Sequence, residues 1–186
     1  MIKGTKYFAF LIIATLLFSA CDKDDPEEVL EEELITTLNY TLTPSNGGTA
    51  ITLSFEDLDG DGGNDPTITG GTLAANQSYV GTMELLNASE SPAENVTLEI
   101  DEEDEEHQFF FQSNVANLSV AYDDKDANGN PVGLSSILTT GDAASGSITI
   151  TLRHEPAKSA SGVSDGDITN AGGETDIEVI FPIDVQ

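Results

Sequence analysis

The last strand-like stretch of the chain, residues 176–185, reads DIEVIFPIDV. Apolar side chains occupy every second position of this stretch: Ile177, Val179, Phe181, Ile183 and Val185. A period of two places them on one face of a β-strand and the intervening side chains on the other. The pattern therefore predicts a half-buried strand. Because Pro182 has no backbone N–H, we expect this strand at the edge of a sheet.

The same alternation recurs along the chain from residue 34 onward. Residues 34–42 place Leu34, Leu38 and Leu42 on one face, and further strands are predicted near 51–55, 78–86, 96–100, 106–112, 118–122, 134–139 and 146–155. Turns rich in Gly, Asn and Asp separate these segments, and no stretch has a helical period of useful length. Many short strands predict an all-β fold, a single antiparallel β-sandwich of immunoglobulin-like size over residues 34–186.

The first 20 residues form a pattern of a different kind. Lys3 and Lys6 precede an apolar segment, residues 8–18, and small residues then lead into Cys21, the only cysteine. This order predicts a secretory signal peptide over residues 1–20, since a membrane span needs about 20 apolar residues. Small residues before a cysteine resemble the bacterial lipobox, which implies that Cys21 carries a lipid. The alternative is an ordinary signal peptide with Cys21 as a free thiol.

Residues 21–33 continue as CDKDDPEEVLEEE, which is acidic and has no hydrophobic period. Such a segment repels itself, and it predicts a flexible tether between the lipid and the folded domain. Lys23 and the two acids after it resemble a signal that exports some lipoproteins to the outer face of the outer membrane. Asp22 resembles an inner-membrane retention mark instead. We expect lipid anchoring in the outer membrane, with the domain exposed at the cell surface.

The charge of the chain limits its partners. Asp and Glu number 34 against six Lys and Arg, which gives a formal net charge of −28. Nucleic acids and anionic lipid headgroups would be repelled, whereas cations would be attracted. No nucleophile elbow, zinc-protease motif or phosphate-binding loop occurs, so we expect no enzyme. A hydrolase with two catalytic carboxylates is the remaining catalytic alternative.

One loop has the composition of a calcium site. Residues 57–65 read DLDGDGGND, with carboxylates at alternate positions, a sixth-position glycine and a ninth-position acid: Asp57, Asp59, Asp61 and Asp65. Ca²⁺ accepts six to eight oxygen ligands in flexible geometry, so these four residues are its candidate ligands. The twelfth position is Ile68 instead of glutamate, which excludes an EF-hand. The alternative is a solvated turn. A fainter version of the pattern is DKDANG at 124–129.

The two histidines form a second candidate metal site. His107 begins a predicted strand and His154 ends another, so both would meet at one rim if these strands are antiparallel neighbours. Acidic residues flank both positions: Asp104, Glu105, Glu106 and Glu155. Two imidazoles with a carboxylate suit Zn²⁺ or Cu²⁺. The alternative is a pair of unrelated rim histidines.

Two long stretches, SFEDLDGDGGNDPTITGGTLAANQSYVGTMELLN at 54–87 and LRHEPAKSASGVSDGDITNAGGETDIEV at 152–179, carry a family resemblance. They resemble small secreted bacterial lipoproteins known as the type 1 periplasmic binding fold superfamily. That name implies a two-lobed α/β fold, but the alternating strands predict a sandwich. The resemblance also implies a partner, a TonB-dependent outer-membrane receptor.

Together these observations predict a non-enzymatic, lipid-anchored outer-membrane protein that binds divalent cations as a capture or accessory component for solute or metal uptake. Two alternatives remain open. One is a structural or adhesive surface module with a macromolecular ligand. The other is a lipoprotein that binds Zn²⁺ or Cu²⁺ through His107 and His154.

Overall fold

The structure, a computed structural model, describes residues 33–60, 63–89 and 91–186. The predicted signal peptide, Cys21 and the predicted tether up to residue 32 lie outside these ranges. Within them, no helix is long and apolar enough to cross a membrane.

The described residues form ten strands and one short α-helix, which follow one another along the chain. The strands are β1 (Thr37–Pro44), β2 (Ile51–Glu56), β3 (Thr67–Thr69), β4 (Gly71–Leu73), β5 (Ser78–Leu86), β6 (His107–Ser113), β7 (Ser119–Tyr122), β8 (Ser135–Thr139), β9 (Ala144–His154) and β10 (Glu174–Val185). Helix α1 (Val96–Glu102) lies between β5 and β6, and two short 3₁₀ turns lie between β9 and β10.

Two sheets build an all-β sandwich, which confirms the predicted fold class. One sheet has six strands in the order β3-β2-β1-β5-β8-β7, and the other has four in the order β4-β10-β9-β6. All neighbouring strands are antiparallel except β4 and β10, which run parallel. The two sheets pack face to face, so that one face of each sheet is buried against the other.

The core follows the alternation that the sequence shows. In β1, Leu38, Tyr40 and Leu42 are fully buried, and Ile148, Ile150 and Leu152 of β9 are fully buried in the same core cluster. The even spacing of these residues explains why each strand buries only one of its faces in this core. Two side chains of α1, Val96 and Ile100, belong to the same core cluster.

The prediction of an edge position for β10 is wrong. This strand lies between β4 and β9, and Pro182 is opposite Ser147 of β9. The parallel pairing with β4 covers only residues 183–185, so it begins directly after Pro182. Because β4 is so short, the missing N–H of this proline is not needed on that side.

The prediction of a strand at 96–100 is also wrong, because these residues form α1. Asn95 caps the helix, and its side-chain oxygen accepts a hydrogen bond from the backbone N–H of Thr97 at 3.2 Å. Val96 and Ile100, four residues apart, bury one side of the helix. Two buried positions are too few to produce a recognisable helical period in the sequence.

The segment between β9 and β10 covers the outer face of the smaller sheet. Val163 and Ala171 are fully buried in a second small cluster with Phe110 of β6. Gln108, also in β6, donates a side-chain hydrogen bond to the carbonyl oxygen of Val163 at 2.9 Å. As a result, Phe109 and Phe110 are both fully buried although they point to opposite faces of one strand.

A buried ion pair fixes the loop at residues 124–130. The Lys158 ammonium lies 3.1 Å from a carboxylate oxygen of Asp126 and also donates to the carbonyl oxygen of Asp104. Asp126 further accepts hydrogen bonds from the backbone N–H groups of Asn128 and Asn130. Burial raises the pKa of Asp126, but its hydrogen bonds and the Lys158 charge outweigh this effect and hold the pKa below its usual value. In this loop the ammonium group of Lys158 balances the charge of Asp126, as a bound metal ion would.

Replacing Lys158 with methionine is expected to lower the free energy of unfolding by about 3–5 kcal/mol, because it leaves the carboxylate of Asp126 buried without its ion partner. Urea denaturation monitored by circular dichroism measures the change. Lys125→Met is the matched control, since Lys125 belongs to the same loop but is exposed. An equal decrease in the free energy of unfolding of both variants would contradict a special contribution of the buried ion pair.

The same pair predicts a dependence of stability on pH. A carboxyl group whose pKa is lower in the folded protein adds stability above its unfolded value of 3.8, and this stability is lost as the pH falls through the folded value. The stability advantage of the natural chain over Asp126→Asn should therefore be greatest near neutral pH and shrink below pH 3.8. Urea midpoints of both chains at several pH values test this, and a constant difference would contradict it.

Candidate metal centre

The pairing of β6 with β9 brings the two histidines together. His107 and His154 are direct partners in the antiparallel register. Their rings stack with centroids 4.7 Å apart and planes inclined by 29°. Both side chains are buried, with 0% and 10% of their surfaces exposed. The two positions that the sequence analysis selected therefore form a single site.

Two carboxylates from other parts of the chain complete the cluster. An oxygen of Glu33 lies 2.9 Å from Nε2 of His107, and the other lies 3.9 Å from Nδ1 of His154. The carboxylate of Asp176 lies 4.0 Å from each of the same two nitrogens. One ligand atom from each of the four residues falls within 4.8 Å of all the others. We call these four residues the inner cluster.

Helix α1 orients the ring of His107. The carbonyl oxygen of Glu103, directly after the helix, lies 3.2 Å from Nδ1, while the Glu33 carboxylate faces Nε2. Both ring nitrogens thus face oxygen acceptors, but a neutral imidazole has only one N–H to donate. In the tautomer whose Nδ1–H donates to the Glu103 carbonyl, Nε2 presents its lone pair toward Glu33 and can bind a metal ion. A backbone carbonyl on the second nitrogen is the usual support of a histidine metal ligand.

A β-bulge turns Asp176 toward the histidines. Thr175 is opposite Arg153 and Ile177 is opposite Leu152, so Asp176 is one extra residue in β10. Ile177 belongs to the core, so regular alternation would point Asp176 away from the core face. A bulge re-aims a side chain in this way, and bulges are frequent next to functional sites. The side chain of Asp176 is fully buried.

Glu33 reaches the site from the segment that leads into β1. Its side chain is only 5% exposed, although glutamate is rarely buried in proteins. Its Oε2 atom is buried and has no hydrogen-bond partner among the described residues. An unsatisfied buried carboxylate oxygen is costly unless a cation binds it. The inner cluster therefore has the charge and the free acceptor of a cation site.

The spacing of the cluster fits a small divalent ion. Ligands held about 2.0–2.2 Å from a tetrahedral Zn²⁺ lie about 3.3–3.6 Å apart. The four contacts between carboxylates and imidazoles are 2.9, 3.9, 4.0 and 4.0 Å, so each lies within about 0.5 Å of this range. Two nitrogen and two oxygen donors match the ligand types of zinc.

A cavity of about 320 Å³ adjoins the inner cluster. Glu33 and Asp176 line one part of it, and Asp57 and Gly60 of the aspartate-rich loop line another. The cavity therefore lies between two carboxylates of the inner cluster and the start of the aspartate-rich loop.

The aspartate-rich loop connects β2 with β3, as a loop between two strands. Asp57 accepts a hydrogen bond from the backbone of Gly60 at 2.9 Å, and Asp59 accepts from the backbone and side chain of Asn64. These Asn64 hydrogen bonds lower the pKa of Asp59. Asp61 lies outside the described residues. Among the described residues, Asp57, Asp59 and Asp65 form no ligand cluster like the one at the histidines, and calcium binding here stays a prediction.

The sequence did not single out Glu33 and Asp176 as candidate ligands. It assigned Glu33 to the acidic tether, and it placed Asp176 at the start of a regular strand. A weak signal existed for Asp176, since an acid directly precedes the apolar alternation from Ile177. No local signal separates Glu33 from the acids around it. The acids that the sequence analysis placed near the histidines include Glu106 and Glu155, which lie beside His154.

In the comparisons with known proteins, no family model matches the chain, and no match was found among the curated proteins or the solved structures. The resemblance to secreted lipoproteins therefore stays a prediction.

A calcium site at residues 57–65 would make the stability of the chain depend on calcium. Calcium at ten times its Kd would add about 1.4 kcal/mol and raise the Tm by about 3–6 °C. Asp59→Asn should abolish this increase, whereas Asp123→Asn, at an exposed position, should preserve it. Thermal melts with chelator and with millimolar Ca²⁺ measure the effect. An unchanged Tm in the natural chain would exclude the site.

Proposed function

We propose that this protein is a non-enzymatic, lipid-anchored lipoprotein that binds a divalent transition-metal ion, Zn²⁺ in the first place, through Glu33, His107, His154 and Asp176. The observation that carries the proposal is the convergence of four buried ligand atoms within 4.8 Å of one another. Three of these residues belong to neighbouring strands of one sheet, so the site is built on a rigid base. Glu33, from the segment that leads into β1, supplies the fourth ligand of the site.

The donor set favours zinc over calcium. Calcium takes six to eight oxygen ligands, whereas this site offers two imidazole nitrogens and two carboxylates. A four-coordinate site of nitrogen and oxygen donors is typical of Zn²⁺, and Cu²⁺ binds such ligands still more strongly by intrinsic affinity. The two carboxylates also neutralise the double charge of the ion, which favours binding in a buried position.

The surroundings support a role in metal capture. The acidic surface attracts cations, and the adjoining cavity offers a route to Glu33 and Asp176. A lipid on Cys21 would hold the domain at the outer membrane, where a TonB-dependent receptor is the partner that the family resemblance implies. In this proposal the protein collects metal ions as an accessory component of uptake.

We expect Zn²⁺ to bind one buried site of the purified full chain and to stabilise the folded protein. At one hundred times the Kd, the gain is about 2.7 kcal/mol, or a rise in Tm of about 5–11 °C. Glu33→Gln and His154→Gln each remove a direct ligand. Each should therefore weaken zinc binding by more than the roughly 10–100-fold that is typical when a group hydrogen-bonded to a ligand is lost. Isothermal titration calorimetry and thermal melts measure both effects.

The matched control for these variants is Glu102→Gln, which removes one exposed carboxylate of the acidic run without touching the cluster. It should leave the affinity for zinc unchanged. The absorption spectrum of the Co²⁺-substituted chain provides a second measurement, since intense visible bands indicate tetrahedral coordination. Equal zinc affinity in the natural chain, Glu33→Gln and His154→Gln would refute the proposed function.

A further inference from the structure

His154 has carboxylates on both sides of its ring. Its Nδ1 atom faces the inner cluster, 3.9 Å from Glu33 and 4.0 Å from Asp176. Its Nε2 atom faces the other way and lies 3.9 Å from a carboxylate oxygen of Glu106. Glu155 joins this second group, and one ligand atom from each of Glu106, His154 and Glu155 lies within 4.8 Å of the others. We call these three residues the outer cluster.

The backbone holds the two glutamates of the outer cluster side by side. The backbone N–H of Glu155 donates a hydrogen bond to the carbonyl oxygen of Glu106 at 2.6 Å. This bond continues the register of β6 and β9 by one pair beyond His107 and His154. Glu155 has a left-handed backbone, with φ of 50°, which bends the chain away at the end of β9.

His154 itself supplies the independent sign of a ligand. Its side chain is nine-tenths buried, yet the nearest carboxylate oxygens lie 3.9–4.0 Å from its nitrogens, beyond hydrogen-bond distance. A buried imidazole normally satisfies its nitrogens with hydrogen bonds. Ligands around a tetrahedral Zn²⁺ stand about 3.3–3.6 Å apart. The carboxylate oxygens near both nitrogens of His154 therefore lie within about 0.5 Å of the separation that a shared ion would give.

We infer that a second divalent transition-metal ion binds Nε2 of His154 together with Glu106 and Glu155, so that the imidazole of His154 bridges two ions. The inference rests on the proposed function, because the inner ion occupies Nδ1. Binding of the outer ion displaces the proton from Nε2 to solvent. Three protein ligands leave a fourth position for water.

The two ions differ in their access to solvent. The inner cluster is buried, whereas the side chain of Glu106 is 58% exposed and Glu155 is exposed as well. The outer ion therefore exchanges with solvent, and it is bound more weakly than the inner one. This arrangement suits capture, since an incoming ion meets the exposed ligands first.

The test compares the number of zinc ions bound by two double variants of the full chain. Glu106→Gln/Glu155→Gln removes the two carboxylates of the outer cluster. Glu102→Gln/Glu105→Gln removes two exposed carboxylates of the same acidic run and has the same net charge. Equilibrium dialysis at about 0.15 M salt, which screens the diffuse attraction of the surface, is followed by metal analysis. The natural chain and the control should hold two ions per chain, and the outer-cluster variant should hold one.

The outcomes separate this inference from the proposed function. One ion in the natural chain, or an equal loss in both double variants, overturns the outer site while the inner site stands. Two ions retained by Glu106→Gln/Glu155→Gln overturn it as well. A natural chain that holds no zinc overturns both, because the bridging histidine then has no inner ion.

Discussion

The register of β9 between its two neighbours is the constraint on which the candidate metal centre depends. This strand pairs with β10 on one side over its whole length, and with β6 on the other side from Ile148 to His154. The ladder with β6 sets His107 opposite His154, and the ladder with β10 brings the bulge at Asp176 to the same end. A shift of one residue in either ladder would move a ligand to the opposite face of the sheet. The core side chains of the strands hold this register, so the packing of the core and the geometry of the candidate metal centre depend on the same pairing of strands.

Around this sheet, groups that bind no metal in our proposal hold the ligands in place. The carbonyl of Glu103 after α1 orients His107, and the buried Lys158 holds the carbonyl of Asp104 one residue further along. Lys158 is itself fixed by Asp126 in a distant loop. The buried carboxylate of Asp126 is thus balanced by a lysine of the chain itself. At the rim of the sheet, our proposal assigns the corresponding role beside Glu33 to a metal ion.

The alternation of apolar residues was enough to predict most strands, because a half-buried strand repeats its pattern over several residues. It failed where a local event broke the period. Helix α1 buries only Val96 and Ile100, so its seven residues looked like a short strand. Pro182 lies inside a sheet because the pairing with β4 begins only after it. The bulge at Asp176 reverses the side on which alternation would place that carboxylate. Each of these events depends on partners far away in the sequence.

The sequence by itself determined an all-β sandwich and the positions of His107 and His154 at the ends of two strands. It also determined the strongly acidic character of the chain. These properties follow from composition and from periods of a few residues, which each segment carries alone. Only the tertiary structure decided that the two histidines are partners and that Glu33 and Asp176 join them. The reason is physical: a metal centre requires atoms a few ångströms apart. Glu33 and Asp176 are 143 positions apart in the sequence, and only the pairing of strands and the packing of two sheets bring them together.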